Sequence, residues 1–336
     1  MGYRIAIDQG YGFTKAMSET KRCLFPSVIA PAQENGLDRD YAYGHIIEYR
    51  RPGEISKRKL FVGELAMKEG RGAQLILSKE KYLKEASIVM MLTAAYMVGG
   101  YKQIDLAVGL PLAYYKTQRE ETEKALKVIN CYVSVDGEPE RYICFDRVQV
   151  LPQGIGSIYS LKKLPEQGLY GCIDIGFGTT DFYLFECTPN RIIPLKSYAT
   201  SIDTGSSTAV KLFVNRFQQL TGYPLNLNDA QYYWLQRRDE IKFRGRSVNI
   251  KPLIEQAQKE VSAAIAEAVT GIWSEKVDIL DGIYLCGGGA IEFAQELNQY
   301  FPQAVVVEDP QWANTKGFFV LSGGQSVQEK TAEAAK

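Results

Sequence analysis

Apolar residues along this 336-residue chain fall into short runs separated by amphipathic stretches, so strand-like and helix-like periods alternate. Residues 4–7 read as a buried strand, and 12–16 begin the strand that returns from it. Between 23 and 67, short strand-like pieces (24–29, 44–49, 59–62) alternate with turn residues, which predicts a small inserted subdomain over about 23–75. Residues 78–98 carry a helical period with Ser78 as the N-cap and a Glu or Lys on most exposed turns. A buried strand over 106–110 is stopped by Pro111, and 116–128 reads as a helix. Residues 132–150 hold a hairpin turning at Asp136-Gly137-Glu138, followed by a helix over 153–161.

After Gly168 the pattern restarts. Residues 170–175 read as a strand, with antiparallel strands at 180–186 and 191–198 and helices at 206–220 and 252–273. A strand at 282–286 enters a Gly-rich turn and a helix at 291–300; a strand at 304–307 and a helix from about 312 follow. The polar, Ala-rich residues 326–336 are expected to fray. Alternation of this kind is the α/β pattern, here in two halves, 1–150 and 151–311.

Composition narrows the class. Hydrophobic residues make up 46% and charged residues 23%, as in ordinary globular proteins. Lys+Arg and Asp+Glu are both 39, so no charge excess draws the chain to nucleic acid or acidic membranes without sequence preference. The longest apolar stretch, 86–98, is broken by Ser87 and Thr93 and is too short to span a bilayer. Asp8 interrupts the N-terminal apolar run before it can form a signal-peptide core. Six cysteines without a CxxC pair predict reduced, structural thiols in a cytoplasmic protein. His45 is the single histidine, which excludes a multi-histidine zinc site and any Ser-His-Asp chemistry not built on His45 itself.

The chemistry lies in an internal repeat. Asp8-Gln9-Gly10-Tyr11-Gly12-Phe13-Thr14 aligns with Asp174-Ile175-Gly176-Phe177-Gly178-Thr179-Thr180, each D-x-G-x-G-x-T after an apolar strand, 166 residues apart. Alternate glycines let backbone N–H groups face a phosphate with no Cβ in the way. An Asp at the strand end suits Mg²⁺ or its bound water. Lys15 stands where the second copy has Asp181; it is either a compact cation for phosphate or a solvated strand residue.

These hairpins, with Cys286-Gly287-Gly288-Gly289-Ala290 after a strand, resemble the actin, Hsp70 and sugar-kinase ATPase superfamily, over essentially the whole chain. Within it, Phe25-Pro26-Ser27, Phe61-Val62-Gly63-Glu64-Leu65-Ala66 and the Asp174 to Asp181 motif are most similar to bacterial and archaeal ParM/Alp-type actin-like proteins. The resemblance implies an actin-like ATPase fold of two duplicated, ribonuclease-H-like lobes, with ATP or ADP and Mg²⁺ between them. It implies that a helix over about 312–330 returns to the first lobe. It assigns Asp8, Gly10, Tyr11, Gly12 and Lys15 to a first phosphate loop and Asp174, Gly176, Phe177, Gly178, Thr179 and Thr180 to a second. Gly287, Gly288 and Gly289 become the nucleoside contact, and Asp8 and Asp174 hold the metal. Gln153, in Leu151-Pro152-Gln153-Gly154, becomes the residue that orients the attacking water, or else simply opens a helix after Pro152. Asp203 and Gly205 lie beside the ribose, or Asp203 is only a turn or N-cap residue. Phe177 replaces an Asp found in conventional actins.

The resemblance further implies an ATPase that assembles head to tail into filaments, for plasmid or DNA segregation through a DNA-binding adaptor or for another cytoskeletal task, with no membrane and no direct nucleic-acid contact. A small-molecule kinase of the same superfamily is the alternative, but no catalytic base is evident outside the phosphate loops. Arg237-Arg238 with Arg244 and Arg246, and Tyr232-Tyr233-Trp234, are read as solvated or core positions, or as self-association contacts.

Overall fold

The computed structural model describes residues 2–33, 44–70, 74–75, 84–161, 163, 165–189 and 191–323. Its elements run β1 (Tyr3–Gln9), β2 (Phe13–Met17), β3 (Arg22–Pro26), β4 (Val28–Pro31), β5 (His45–Arg50), β6 (Arg58–Val62), α1 (Glu64–Glu69), β7 (Gln74–Leu75), α2 (Glu85–Met97), β8 (Lys102–Leu110), α3 (Leu112–Lys127), β9 (Asn130–Val135), β10 (Arg141–Pro152) and α4 (Ile155–Ile158). They continue with β11 (Gly168–Ile175), β12 (Thr180–Thr188), β13 (Arg191–Ile202), α5 (Ser206–Thr221), α6 (Leu227–Leu235), β14 (Glu240–Phe243), β15 (Arg246–Asn249), α7 (Lys251–Trp273), β16 (Gly282–Cys286), α8 (Ala290–Tyr300), β17 (Ala304–Val306) and α9 (Ala313–Leu321). They form two units: residues up to 164 together with those from 312 onward, and residues 165–311.

In the first unit one sheet has the order β3-β2-β1-β8-β10-β9-β5-β6-β4-β7. The central strands β1, β8 and β10 are parallel, which buries both faces of Ile5, Ile7, Leu106 and Val108. The strand read at 24–29 is in fact two, parted at Ser27. The region expected as an inserted subdomain continues the same sheet through β5 against β9, with a small core of Val28, Ala30, Phe61, Leu65 and Ala66. Helix α2 starts at Glu85, after an extended Lys84; the expected cap Ser78 lies outside the described residues. Its predicted exposed turns are absent, since Val89 to Ala95 are buried all round. The helix expected over 153–161 is only one turn, α4, and it begins after Gly154, which takes φ +78° and follows β10. The segment 326–336 lies outside the described residues.

Helix α9 belongs to this unit. A Cβ on Gly317 would stand 1.7 Å from the Gly156 carbonyl oxygen, so α9 and α4 touch backbone to backbone. Phe318 fills the space over Gly109 and Gly156 and packs with Ala6 and Ala107. Gly317→Ala is therefore expected to lower unfolding free energy by about 2–3 kcal/mol in urea titration, the usual cost of forcing atoms into a filled core.

The second unit is a five-stranded sheet, β13-β12-β11-β16-β17, with α5, α7 and α8 around one core. Trp273 closes it, its ring against Gly171 and Phe182 and its Nε1–H donating to the Tyr198 carbonyl at 3.1 Å. Pattern reading gave no element between 220 and 252, where α6 and the β14–β15 hairpin stand. Asn226 caps α6 by accepting from the Asn228 N–H at 2.8 Å. The hairpin turns through Arg244 (φ 49°) and Gly245 (φ +78°), a primed turn with Arg in place of the usual Asn. All six cysteines are free thiols, with Cys172 and Cys286 fully buried. Among the described residues no helix is long and apolar enough to cross a membrane.

Candidate functional site

The two repeated hairpins adopt one geometry. In the first, Asp8 faces Lys15 and Gln9 faces Thr14; in the second, Asp174 faces Asp181 and Ile175 faces Thr180. Each turn closes with the same bond: the Gly10 N–H donates to the Phe13 carbonyl, and the Gly176 N–H to the Thr179 carbonyl, both at 2.9 Å. Gly10, Tyr11 and Gly176 to Thr179 are half-buried, which leaves the turns accessible, while Gly12 is buried.

Directly opposed residues on an antiparallel pair share a face. Lys15 Nζ therefore meets Asp8 Oδ2 at 2.7 Å, both side chains being almost wholly buried. Lys15 is not the solvated strand residue of the alternative reading. Gln153 follows β10, its N–H donating to the Leu110 carbonyl at 2.7 Å, and its Nε2 donates to Asp8 Oδ1 at 2.8 Å. Three residues scattered through the first unit thus form one cluster, with Asp8 at its centre. Gln153 lies outside α4, so it is not a helix-opening residue.

Sequence reading missed the brace beneath this loop. Ser27, fully buried, donates through Oγ to the Gly10 carbonyl at 2.7 Å, pairs with Thr14 Oγ1 at 2.9 Å, and gives its N–H to the Gly12 carbonyl. The Phe25-Pro26-Ser27 motif carried that signal.

In the second unit the brace comes from a helix. The N–H groups of Ser206 and Ser207, at the start of α5, donate to the carbonyls of Gly176 (3.1 Å) and Phe177 (2.7 Å). A Cβ on Gly205 would stand 2.5 Å from the Gly176 oxygen, so this approach requires glycine. Thr180 donates to the Thr204 carbonyl at 2.7 Å. Asp203 is exposed, two residues before the Gly205 cap, so it does not cap α5.

The Gly-rich turn after β16 lies on the same loop. Gly287 (φ +84°) would place a Cβ 2.4 Å from Asp174 Oδ1 and 2.3 Å from the Ile175 carbonyl, and the Gly289 N–H donates to that carbonyl at 2.9 Å. Gly288 is exposed. Beside Gly289, Glu292 Oε2 accepts from Ser206 Oγ (3.2 Å) and Trp234 Nε1 (3.1 Å); burial pushes this carboxyl above the usual range, against those two bonds. Glu292 was not singled out from the sequence, whereas the buried Asp181, which accepts from Ser201 Oγ, was legible as the second copy's counterpart of Lys15.

Among the described residues no three acidic, Cys or His side chains gather into a metal cage. A divalent ion would take most of its oxygens from phosphate and water, the usual Mg²⁺ arrangement at a phosphate site. One or two carboxylates beside glycine N–H groups fit such a group.

Two family models match this chain, the actin-like proteins N-terminal domain over residues 6–156 and the archaeal actin homologue MreB-like C-terminal domain over 172–299. The chain belongs to the actin-like protein family, and its two α/β units carry the actin-like fold. Similar solved structures include a 15-stranded ParM filament from Clostridium botulinum (TM-score 0.86, 23% identity, 96% of this chain and 99% of that one). A non-polymerisable ParM quadruple mutant from pCBH matches at TM-score 0.85 and 24% identity over the same shares. An archaeal actin homolog in complex with ADP matches at TM-score 0.77 and 19% identity, again over 96% and 99%. No curated protein matches the chain by sequence.

Proposed function

We propose that this protein is an ATPase that binds Mg·ATP through its two glycine hairpins, assembles into filaments and hydrolyses the nucleotide as it does so, serving plasmid or DNA segregation or a related cytoskeletal task. The observation that carries this reading is the repeated hairpin, two copies with one register, one closing bond and one buried Asp at the same place. Turn preference alone does not produce that twice in one chain.

Each residue has a task in this reading. The two half-buried glycine turns receive the phosphate oxygens, with no Cβ at the glycines to bar their approach. Lys15 fixes the Asp8 carboxyl in place, and adds positive charge beside the phosphates. Asp8 and Asp174 would hold the water shell of a bound Mg²⁺, which would supply charge neutralisation at the phosphate oxygens. Gln153 spends its amide N–H₂ on Asp8, which leaves Oε1 to accept a hydrogen bond from the attacking water and set its line of approach. Gly287 and Gly289 bring the nucleoside side of the site against Asp174 and the start of α5. The ParM filament and the ADP-bound archaeal homolog support assembly and nucleotide binding for this chain by likeness of fold.

The test is steady-state phosphate release with Mg·ATP. Gln153→Ala is expected to lower kcat by about 10²-fold, the scale of a lost positioning contact, while the Kd for a fluorescent ATP analogue stays within about twofold. Wild-type protein that neither binds the analogue nor releases phosphate would remove the ATPase reading.

A further inference from the structure

Helix α5 begins without a cap of its own. Gly205 stands at its N-cap position with no side chain to accept a bond, and its first turn holds no acid. Its first N–H groups are committed elsewhere, those of Ser206 and Ser207 going to the carbonyls of Gly176 and Phe177 in the second hairpin turn. The position of that turn therefore depends on how firmly the start of α5 is held.

The negative charge that α5 lacks comes from another helix. Glu292 lies in the first turn of α8, its own N–H donating to the Gly289 carbonyl at 3.0 Å. Its Oε2 joins two further helices, accepting from Ser206 Oγ on α5 at 3.2 Å and from Trp234 Nε1 on α6 at 3.1 Å. Ser206 and Trp234 are buried, and a Cβ on Gly289 would stand 2.9 Å from Ser206 Oγ, so this contact is built against the glycine turn. A carboxylate is favoured at a helix N-terminus by the partial positive charge there, and it accepts more strongly than a neutral group. Burial pushes its pKa above the usual carboxylate range, against the pull of the two bonds and of exposed Arg237 just beyond α6. Ser206 from α5, Trp234 from α6 and Arg237 are thus the groups that face it. Burying a charge costs free energy that a neutral side chain avoids, so stability does not account for an acid at this place.

We propose that Glu292 is a positioning residue for the nucleotide site: it fastens the start of α5 to the glycine turn after β16 and so holds the Gly176–Phe177 turn in the shape that receives phosphate. The inference rests on the nucleotide binding proposed above and adds a residue to it, one that acts through Ser206 and not on the ligand. A slackened turn is competent for only part of the time. That raises the apparent Kd by the inverse of the competent fraction and leaves turnover of the bound form alone.

The experiment uses the full chain with Mg²⁺, reading Kd for the fluorescent ATP analogue, KM and kcat for ATP, and the thermal midpoint. Glu292→Leu, which fills the space and accepts nothing, should raise Kd and KM about tenfold, the scale of a lost bond to a charged group, with kcat within about twofold. Ser206→Ala, which cuts the α5 arm alone, should do the same, and the double variant should be no worse than either, because both break one contact. Trp234→Phe cuts only the α6 arm and should leave Kd within about twofold of wild type. Glu292→Gln keeps an acceptor for both donors and drops the buried charge, so its Kd should return to within about threefold of wild type. Because the raised pKa makes the charged form the less stable one, its thermal midpoint at mildly alkaline pH should be no lower than wild type. Any gain should fade as pH falls through that raised pKa toward the ordinary glutamate range.

The proposal is overturned if Glu292→Leu or Ser206→Ala binds the analogue like wild type, if their effects add, or if Glu292→Gln recovers nothing. It is overturned equally if Trp234→Phe loses as much affinity as they do, which makes Glu292 a general support of the helices. Should the Leu chain fail to fold, Ser206→Ala and Glu292→Gln carry the same test. Wild type that does not bind the analogue removes the nucleotide reading and this role together; wild type that binds beside a Glu292→Leu chain that binds equally removes the role alone.

Discussion

Replacing Asp174 with Ala is expected to abolish phosphate release, with a loss of at least about 10²–10³-fold, the range for deleting a group that stabilises developing charge in a water-poor site. Asp174 is 5% exposed, and the turn glycine Gly287 is moulded against its Oδ1. Alanine leaves a void there and removes the one carboxylate of the second hairpin that the nucleoside-side glycines touch. Asp174→Asn keeps the shape and removes the charge. If the role is electrostatic, Asn fails nearly as badly as Ala in a phosphate-release assay while both keep the wild-type far-ultraviolet dichroism. Turnover within threefold of wild type in either variant would overturn the assignment.

The second large effect concerns Lys15. Its pair with Asp8 is buried on both sides, and removing one partner of such a pair leaves an uncompensated charge at a cost of about 3–5 kcal/mol. Lys15→Met should lower the unfolding free energy, read by urea titration, by that much. It should also weaken binding of the ATP analogue by about 10–100-fold, the value of one charge-assisted contact of about 1.5–3 kcal/mol. Adding Asp8→Asn should recover most of the stability, because no lone charge remains, but not the binding. Recovery of both would make Lys15 a structural residue only.

Much of this was readable along the chain because the strands before the hairpins are short, apolar and ended by Asp, and because the repeat stated its own alignment. The strands at 4–7, 170–175 and 282–286 and the helices at 206–220 and 252–273 stand within a few residues of where periodicity puts them. What escaped was set by contacts rather than by pattern. Helix α2 is apolar all round because sheet and neighbouring strands cover it, so no exposed stripe marks its turns. The Arg244-Gly245 turn hides a hairpin because Arg seldom takes φ > 0. Helix α4 starts late because Gly154 stands before it at φ +78°. The site residues came from motif and resemblance. Ser27 and Glu292 act through partners 17 and 86 residues away, and no local spacing announces such bonds.

The seam between α9 and α4 bears on the order in which the chain can finish folding during synthesis. Phe318 and Phe319 complete a core that already contains Ala6 and Ala107, so those two wait for residues made long after them. Residues 165–311 form a unit of their own and have no such dependence. A nascent chain halted before 313 would present Gly109 and Gly156 uncovered, an apolar slot open to chaperones or to aggregation until α9 arrives.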